Sequence, residues 1–395
     1  MLDWNSYLSK RSETISNRRT RFVKVIGNRR YLITKSRQLL NFVSNDYLGL
    51  SFAPEIIYAT KSNCDVYGIG SGGAPSLSGY SIEHHCLANE MAEWFGYEKC
   101  LLFNSGFQLN VGIFSQLIDS RTKVWFDKNC HASHIDGILL SRAKFATFDE
   151  TNIDAVINSV ENQLNYRHLI LSEGSFSMTG TCNYWHKLIQ LKIKNPNNTL
   201  LIIDDAHGIG AFGKNGYGSL EQLNLSYQDI DVVIGTFGKA FGTHGGFICS
   251  SAVLIDYLQQ NVRSQIFSTN IPPCIAAASR ASLAIIKSHV GHNLRQQLAS
   301  NINYFQSLAD ESGLHLAGQS SNYSAIQLLM YSNQNILTKI YSYLLEHNIL
   351  VGKIMYPTVP IKTPRLRISL NAQHTKDDIE LLVKYLAKAE SIYNG

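Results

Sequence analysis

Three short apolar runs, each ending in polar residues, constrain the fold of this chain more than any other feature. Leu169-Ile170-Leu171 leads into Ser172-Glu173-Gly174, Leu200-Leu201-Ile202-Ile203 into Asp204-Asp205, and Val232-Val233-Ile234 into Gly235-Thr236. Runs this short and this apolar read as strands buried on both faces, the pattern of a parallel sheet. Between the runs the periodicity turns helical, with Ile153, Val156, Ile157, Val160 and Leu164 spaced to lay one face on such a sheet. The alternation predicts an α/β domain with a mainly parallel central sheet. In open sheets of that kind ligands bind beyond the carboxyl ends of the strands, so the polar residues just after each run are where chemistry is expected.

From about residue 285 the pattern changes to long polar-apolar helices and short strands, which predicts a smaller C-terminal α+β domain. Its last helix opens at Thr375-Lys376-Asp377-Asp378, ahead of the periodic set Ile379, Leu382, Val383 and Leu386. The expected organisation is an N-terminal segment over 1–50, a large domain over 51–284 and a small domain over 285–395. The first segment is basic and helix-prone, with Arg18, Arg19, Arg21, Arg29 and Arg30, and reads as an arm lying on the main body.

Composition narrows the function classes. With 45% hydrophobic and 16% charged residues among 395, the chain is neither disordered nor fibrous. A net charge of +5 is too weak an excess to argue for nucleic acid, and it is compatible with an anionic substrate. No stretch reaches the ~18 apolar residues of a membrane span, and the opening Met1-Leu2-Asp3-Trp4-Asn5 lacks a secretory pattern. Seven scattered cysteines without a Cys-x-x-Cys pair suggest neither a disulfide framework nor structural zinc. A cytoplasmic protein is expected.

Thr236-Phe237-Gly238-Lys239-Ala240-Phe241-Gly242 sets a lysine among small and apolar residues just after a strand. Desolvation lowers an amine's pKa and makes its nitrogen nucleophilic, as Schiff-base formation with an aldehyde requires, although a loop lysine is more often a solvated charge. Asp204-Asp205-Ala206-His207-Gly208 adds a strand-end carboxylate of the kind that keeps a pyridine nitrogen protonated, with His207 in reach of a ring's phenolic oxygen. The alternative for Asp204 is a cap on the next turn. Asn104-Ser105-Gly106-Phe107-Gln108 precedes a helical segment and offers backbone N–H groups to a phosphate, and Thr236 a hydroxyl. A plain βα turn has the same sequence pattern.

Other motifs carry less. Gly68-Ile69-Gly70-Ser71-Gly72-Gly73 reads as a mobile loop and is not a dinucleotide fingerprint. His131-Ala132-Ser133-His134 has no acidic or cysteine partner at ligand spacing, so no metal is expected, and His131 is the better candidate for a ring stacked on a planar cofactor. His84 and His85 read as structural. Ser177 lies in no Gly-x-Ser-x-Gly elbow, which argues against a hydrolase. Arg365-Leu366-Arg367-Ile368-Ser369-Leu370 alternates like a strand and puts both arginines on one face, as a carboxylate clamp or an exposed basic edge.

In their joint order these segments resemble the α-oxoamine synthases, pyridoxal phosphate enzymes of fold type I, the aminotransferase-like architecture, over nearly the whole chain. The resemblance includes Asn41-Phe42-Val43-Ser44-Asn45-Asp46-Tyr47-Leu48-Gly49-Leu50, Ser78-Gly79-Tyr80-Ser81 and Glu173-Gly174-Ser175-Phe176-Ser177-Met178. It implies that Lys239 holds the cofactor as a Schiff base and moves protons, that Asp204 pairs the ring nitrogen, and that His131 stacks on the ring. It implies His207 and Ser177 at the phenolic oxygen, and Gly106, Phe107 and Thr236 at the phosphate. Ser268 and Thr269 would reach the cofactor of a partner subunit in a homodimer with shared active sites. Asn45 and Arg367 match the positions that hold the amino acid's carboxylate, and Arg19 or Arg21 an arginine near the acyl substrate.

Within the family, Asp204 to Gly208, Phe267-Ser268-Thr269-Asn270-Ile271-Pro272-Pro273 and Pro357-Thr358-Val359-Pro360 look most like members that join L-alanine to pimeloyl-CoA or a pimeloyl acyl carrier protein in biotin synthesis. Met355-Tyr356 departs from that pattern toward relatives using glycine and acetyl-CoA. Ala74-Pro75-Ser76-Leu77 departs after the glycine-rich loop. Non-catalytic partner subunits of the family lack the lysine that Lys239 supplies.

Overall fold

A computed structural model describes residues 3–13, 24–26, 31–34, 37–181, 184–317 and 324–394. Two compact units emerge, residues 45–297 and residues 1–44 with 298–395. The composition change at 284/285 thus precedes the structural boundary, because the helix His289–Glu311 runs across it. The N-terminal segment groups with the C-terminal residues because Arg37–Asn41 pairs in parallel with Ile349–Leu350. Among the described residues of the expected helical arm, only Trp4–Glu13 is helix; Lys24–Ile26, Tyr31–Thr34 and Arg37–Asn41 form an antiparallel meander.

The larger unit is built on seven strands: β1 Lys99–Phe103, β2 Thr122–Asp127, β3 Lys144–Phe148, β4 Arg167–Glu173, β5 Thr199–Asp204, β6 Val232–Thr236 and β7 Gly246–Ser250. Their order is β1-β7-β6-β5-β4-β2-β3, and β7 alone is antiparallel to its neighbours. The three apolar runs are the adjacent central strands β4, β5 and β6, in which Leu171, Ile202 and Val232 stand side by side in register. Ile170, Leu171, Leu201, Ile202, Ile203, Val232 and Val233 are fully buried, as expected for strands with both faces covered. Registering the runs brings Glu173, Asp204 and Ile234 level at one edge of the sheet.

The helix after β3 spans Ile153–Asn162 and buries Ile153, Val156 and Val160. It stops before Leu164, which is exposed; Tyr166 N–H instead closes a turn onto the Gln163 carbonyl before β4. The glycine-rich segment expected to be mobile is anchored: Ser71 Oγ donates to the Asn270 carbonyl at 2.9 Å, and Asn270 N–H to the Gly73 carbonyl at 3.0 Å. No helix among the described residues is long and apolar enough to cross a membrane.

In the smaller unit Arg365–Ser369 is the middle strand of three, between Ile326–Met330 and Gly352–Ile354. Both arginines are buried, so the segment is not an exposed basic edge. The last helix, Lys376–Tyr393, is closed at its start by reciprocal bonds between Thr375 and Asp378, and it buries Ile379, Leu382, Val383 and Leu386.

Candidate active site

Asp204 ends β5, buried, with its charge held by three donors. His134 Nε2 lies 2.9 Å and Asn110 Nδ2 3.1 Å from Oδ2, and Ala206 N–H donates to Oδ1 at 3.0 Å. Burial raises a carboxyl's pKa, but here His134, the nearby Lys239 charge and the Asn110 amide outweigh it and leave Asp204 at about 2. The adjacent Asp205 faces the other way. It accepts from Ser219 N–H at 2.7 Å, Ser219 Oγ at 2.6 Å and the Tyr227 hydroxyl, which ties the following loop down.

Lys239 follows β6 on a loop closed upon itself. Phe237 N–H donates to the Gly245 carbonyl at 3.0 Å, Thr243 N–H to the Phe237 carbonyl at 2.9 Å, and Gly242 N–H to the Lys239 carbonyl at 2.9 Å. Gly242 takes a left-handed φ of 67° to make that turn. Phe237, Ala240 and Phe241 are buried, so the half-buried Lys239 sits on a rigid apolar base. Thr236 Oγ1 donates to the Gly245 carbonyl at 2.8 Å and accepts from Gly238 N–H at 3.1 Å.

The helix Gly106–Leu117 begins where β1 ends, beside β7. Ser105 is its cap: Oγ takes Gln108 N–H at 3.1 Å and its carbonyl takes Leu109 N–H at 3.0 Å. Gly106 and Phe107 open the helix's first turn, where backbone N–H groups have no partner within the helix, as an anion site requires. Gly106 abuts Thr236, whose Cβ lies 3.9 Å from the position of a Cβ on that glycine.

His131 caps the next helix, Ala132–Leu140, with Nδ1 2.8 Å from Ser133 Oγ and its N–H 2.6 Å from Glu173 Oε1. The Phe107 ring meets it edge-on at 6.3 Å. His207 is buried, with Nδ1 2.6 Å from the Tyr47 hydroxyl, and Tyr47 reaches Asn45 Oδ1 at 3.3 Å. Gln108 Nε2 lies 2.8 Å from Ser268 Oγ, and Asn104 Nδ2 2.7 Å from the Thr269 carbonyl, which places that segment against the Gly106 helix. Ser177 is half-buried in the turn between two short strands, Ser175–Phe176 and Gly180–Thr181. Arg367 lies in the other unit and donates to Ser369 Oγ at 2.9 Å. Arg19 and Arg21 fall outside the described residues.

The sequence pattern predicts no metal at His131 and His134, yet Cys130 stands four residues before His134, and the fold adds the buried Glu173 to that pair. Cys130, His134 and Glu173 bring their ligand-type atoms within 4.8 Å of one another, because β4 delivers Glu173 beside the Ala132–Leu140 helix. Sequence reasoning assigned no role to Tyr47, Asn110, His134 or Glu173. The available signals were thin: Asn110 is one helical turn beyond Gly106, His134 is three residues from His131, and Glu173 ends a strand as Asp204 does.

The chain matches the aminotransferase class I and II family over residues 37–386. An 8-amino-7-oxononanoate synthase of Saccharophagus degradans is 36% identical over 361 residues, 91% of this chain and 89% of that protein. This chain is an α-oxoamine synthase. Among solved structures, the synthase is similar to an 8-amino-7-oxononanoate synthase from Francisella tularensis, with TM-score 0.77 and 31% identity over 90% of this chain and 98% of that one. It is also similar to a serine palmitoyltransferase from Sphingomonas wittichii, with TM-score 0.89 and 25% identity over 99% and 96%. The synthase therefore has the fold type I architecture and uses pyridoxal phosphate in acyl transfer. Its residues fit that cofactor: a carboxylate kept charged in a buried site suits a pyridinium nitrogen, a lysine on a hydrogen-bonded loop suits an aldehyde, and the first-turn amides of a helix start suit a phosphate.

Proposed function

We propose that this α-oxoamine synthase condenses L-alanine with a pimeloyl thioester, carried by coenzyme A or an acyl carrier protein, to give 8-amino-7-oxononanoate for biotin synthesis. The observation that carries this choice is the 36% identity to a curated synthase of that product over 91% of the chain. A homodimer in the cytoplasm is part of the same proposal, with Ser268 and Thr269 contributing to the partner subunit's site.

Bound pyridoxal phosphate supplies an electron sink for the negative charge that develops at the amino acid's Cα. Asp204 keeps that sink effective by holding a negative charge against the ring nitrogen, and Asn110 and His134 fix the carboxylate's orientation. Lys239 would hold the cofactor through its aldehyde and, as a free amine, would take the Cα proton of alanine and later return one to the product. His131 would cover one face of the ring and keep water from it. His207, held by Tyr47, and Ser177 serve the phenolic oxygen, while Gly106, Phe107 and Thr236 hold the phosphate. Arg367 and Asn45 are assigned to the alanine carboxylate, and Arg19 or Arg21 to the acyl chain's end. The Cα–acyl bond forms as the C–S bond breaks and releases the thiol, and the alanine carboxylate leaves as carbon dioxide.

Tyr356, next to Pro357, favours a second reading, glycine with acetyl-CoA. Purified protein loaded with the cofactor is offered alanine, glycine or serine against pimeloyl-, acetyl- and palmitoyl-CoA and pimeloyl acyl carrier protein, and thiol release is followed. Thiol release with alanine and a pimeloyl donor at least tenfold faster than with any other pair is expected. Preference for glycine with acetyl-CoA, or for serine with palmitoyl-CoA, would replace the assignment.

A further inference from the structure

Asp204 is not the only buried carboxylate at the sheet edge. Glu173 stands beside it in register on the neighbouring parallel strand, so both side chains leave the same face, and both are almost wholly buried. Two anions so placed repel each other strongly in a site without water. Their hydrogen bonds are unequal. Asp204 has His134, Asn110 and the Ala206 N–H, whereas Glu173 has the His131 N–H.

His134 lies between them, fully buried, its ring met edge-on by Phe114 at 5.6 Å. An ionised carboxylate only accepts hydrogen bonds, so the 2.9 Å contact assigns a proton to Nε2. The other nitrogen, Nδ1, has no hydrogen-bond partner and faces Glu173 Oε1 at 3.7 Å. A buried imidazole with one nitrogen unsatisfied costs stability, and an aliphatic side chain would fill the place more cheaply. The bond to Asp204 is what the histidine provides there.

We propose that His134 and Glu173 are positioning residues that set the charge behind the cofactor: His134 donates Nε2–H to Asp204, Glu173 stays a neutral acid, and Asp204 is thereby the single anion presented to the pyridine nitrogen. Burial and the Asp204 charge, with a smaller push from Asp127, carry Glu173 well above the ordinary carboxyl range, against Lys239 and the His131 N–H, which act the other way. Cys130, also buried among Glu173, Asp127 and Asp204, is kept a thiol by the same surroundings and adds no charge. Were Glu173 ionised instead, the ring nitrogen's partner would share its charge with a second carboxylate and hold the ring proton less selectively.

The inference rests on the family's cofactor and not on the choice of alanine or pimeloyl thioester. Three variants test it in full-length protein: His134→Leu, His134→Gln and Glu173→Gln. The readouts are the pyridoxal phosphate dissociation constant by equilibrium dialysis, the pH dependence of the bound cofactor's visible band, and the melting temperature without cofactor. His134→Leu is expected to weaken cofactor binding by about 10- to 100-fold, as loss of a hydrogen bond to a charged group does, and to make the visible band respond to pH near neutrality. His134→Gln, whose amide can donate to Asp204, recovers most of that loss. Glu173→Gln, uncharged like the protonated acid, keeps the affinity within about twofold of the parent. Parental affinity in His134→Leu, or equal loss in the leucine and glutamine variants, would overturn the role of His134. A loss in Glu173→Gln as large as that in His134→Leu would overturn the neutral acid, and this arm stands even where the leucine variant fails to fold.

Discussion

Gly246→Ala tests the phosphate cradle without touching a polar group. A Cβ on Gly246 would lie 2.9 Å from Gly106 N, 3.0 Å from Ser105 C and 3.1 Å from Gly106 Cα, all main-chain atoms that cannot rotate aside. Ordinary contact starts at 3.4 Å, so the helix start must retreat by about 0.5 Å. Strand β7 cannot yield in its place, because Gly246 is in register with Thr236 on one side and Phe103 on the other. Overpacking of this kind costs about 1–3 kcal/mol of stability. The same half ångström would move the Gly106 and Phe107 amides away from a phosphate held there. Weakened charge-assisted bonds at two donors translate to about a 10- to 100-fold rise in the cofactor's dissociation constant. Equilibrium dialysis measures that constant, and thermal melting of the cofactor-free protein measures the packing cost. Gly70→Ala is the control, since a Cβ there meets nothing within 4 Å. If Gly246→Ala melts lower yet binds pyridoxal phosphate like the parent, those amides do not hold the phosphate.

Three further outcomes follow from the site. Lys239→Ala should release cofactor on dialysis and bring thiol release below detection; appreciable turnover in that variant would remove Lys239 from the chemistry. Tyr47→Phe deletes the 2.6 Å bond to His207 while keeping the buried ring, and should lower kcat/KM by about tenfold with little change in melting temperature; an unchanged kcat/KM would free His207 of that constraint. Burial, then the neighbouring His134 and Lys239, lower the His131 pKa below its ordinary 6.5, against the pull of Asp204. The unfolded chain then binds a proton where the folded one does not, so stability falls as pH drops below about 6.5. His131→Asn should flatten that slope in urea titrations between pH 5 and 7, and an equal slope in both proteins would refute the assignment.

How much of this was legible in the sequence depends on whether a property belongs to one segment or to a meeting of segments. The runs ending at Glu173, Asp204 and Thr236 carried their own signal, since burial on both faces leaves an unbroken apolar stretch. The Thr375 cap and the helix after it were equally local. The placement of Arg365 and Arg367 was not, because the same alternation serves an exposed edge strand or a central one, and only the pairing on both sides decides. Residues 1–50 read as an arm because nothing in them announces the partner strand at Ile349–Leu350, some three hundred residues away. The candidate site divides along the same line. Lys239 and Asp204 stand out within their own loops, and the Ser105 cap within its helix. The interaction that distinguishes Asp204 from any other strand-end carboxylate comes from elsewhere: Asn110 from one helix, His134 from a second, and Glu173 from the adjacent strand. Glu173 and Asp204 become neighbours only because β4 and β5 pair directly, and that pairing is set by how the intervening helix crosses the sheet. Each acid alone predicts an ordinary carboxylate; side by side and buried, they differ in charge, and that difference is a property of strand order.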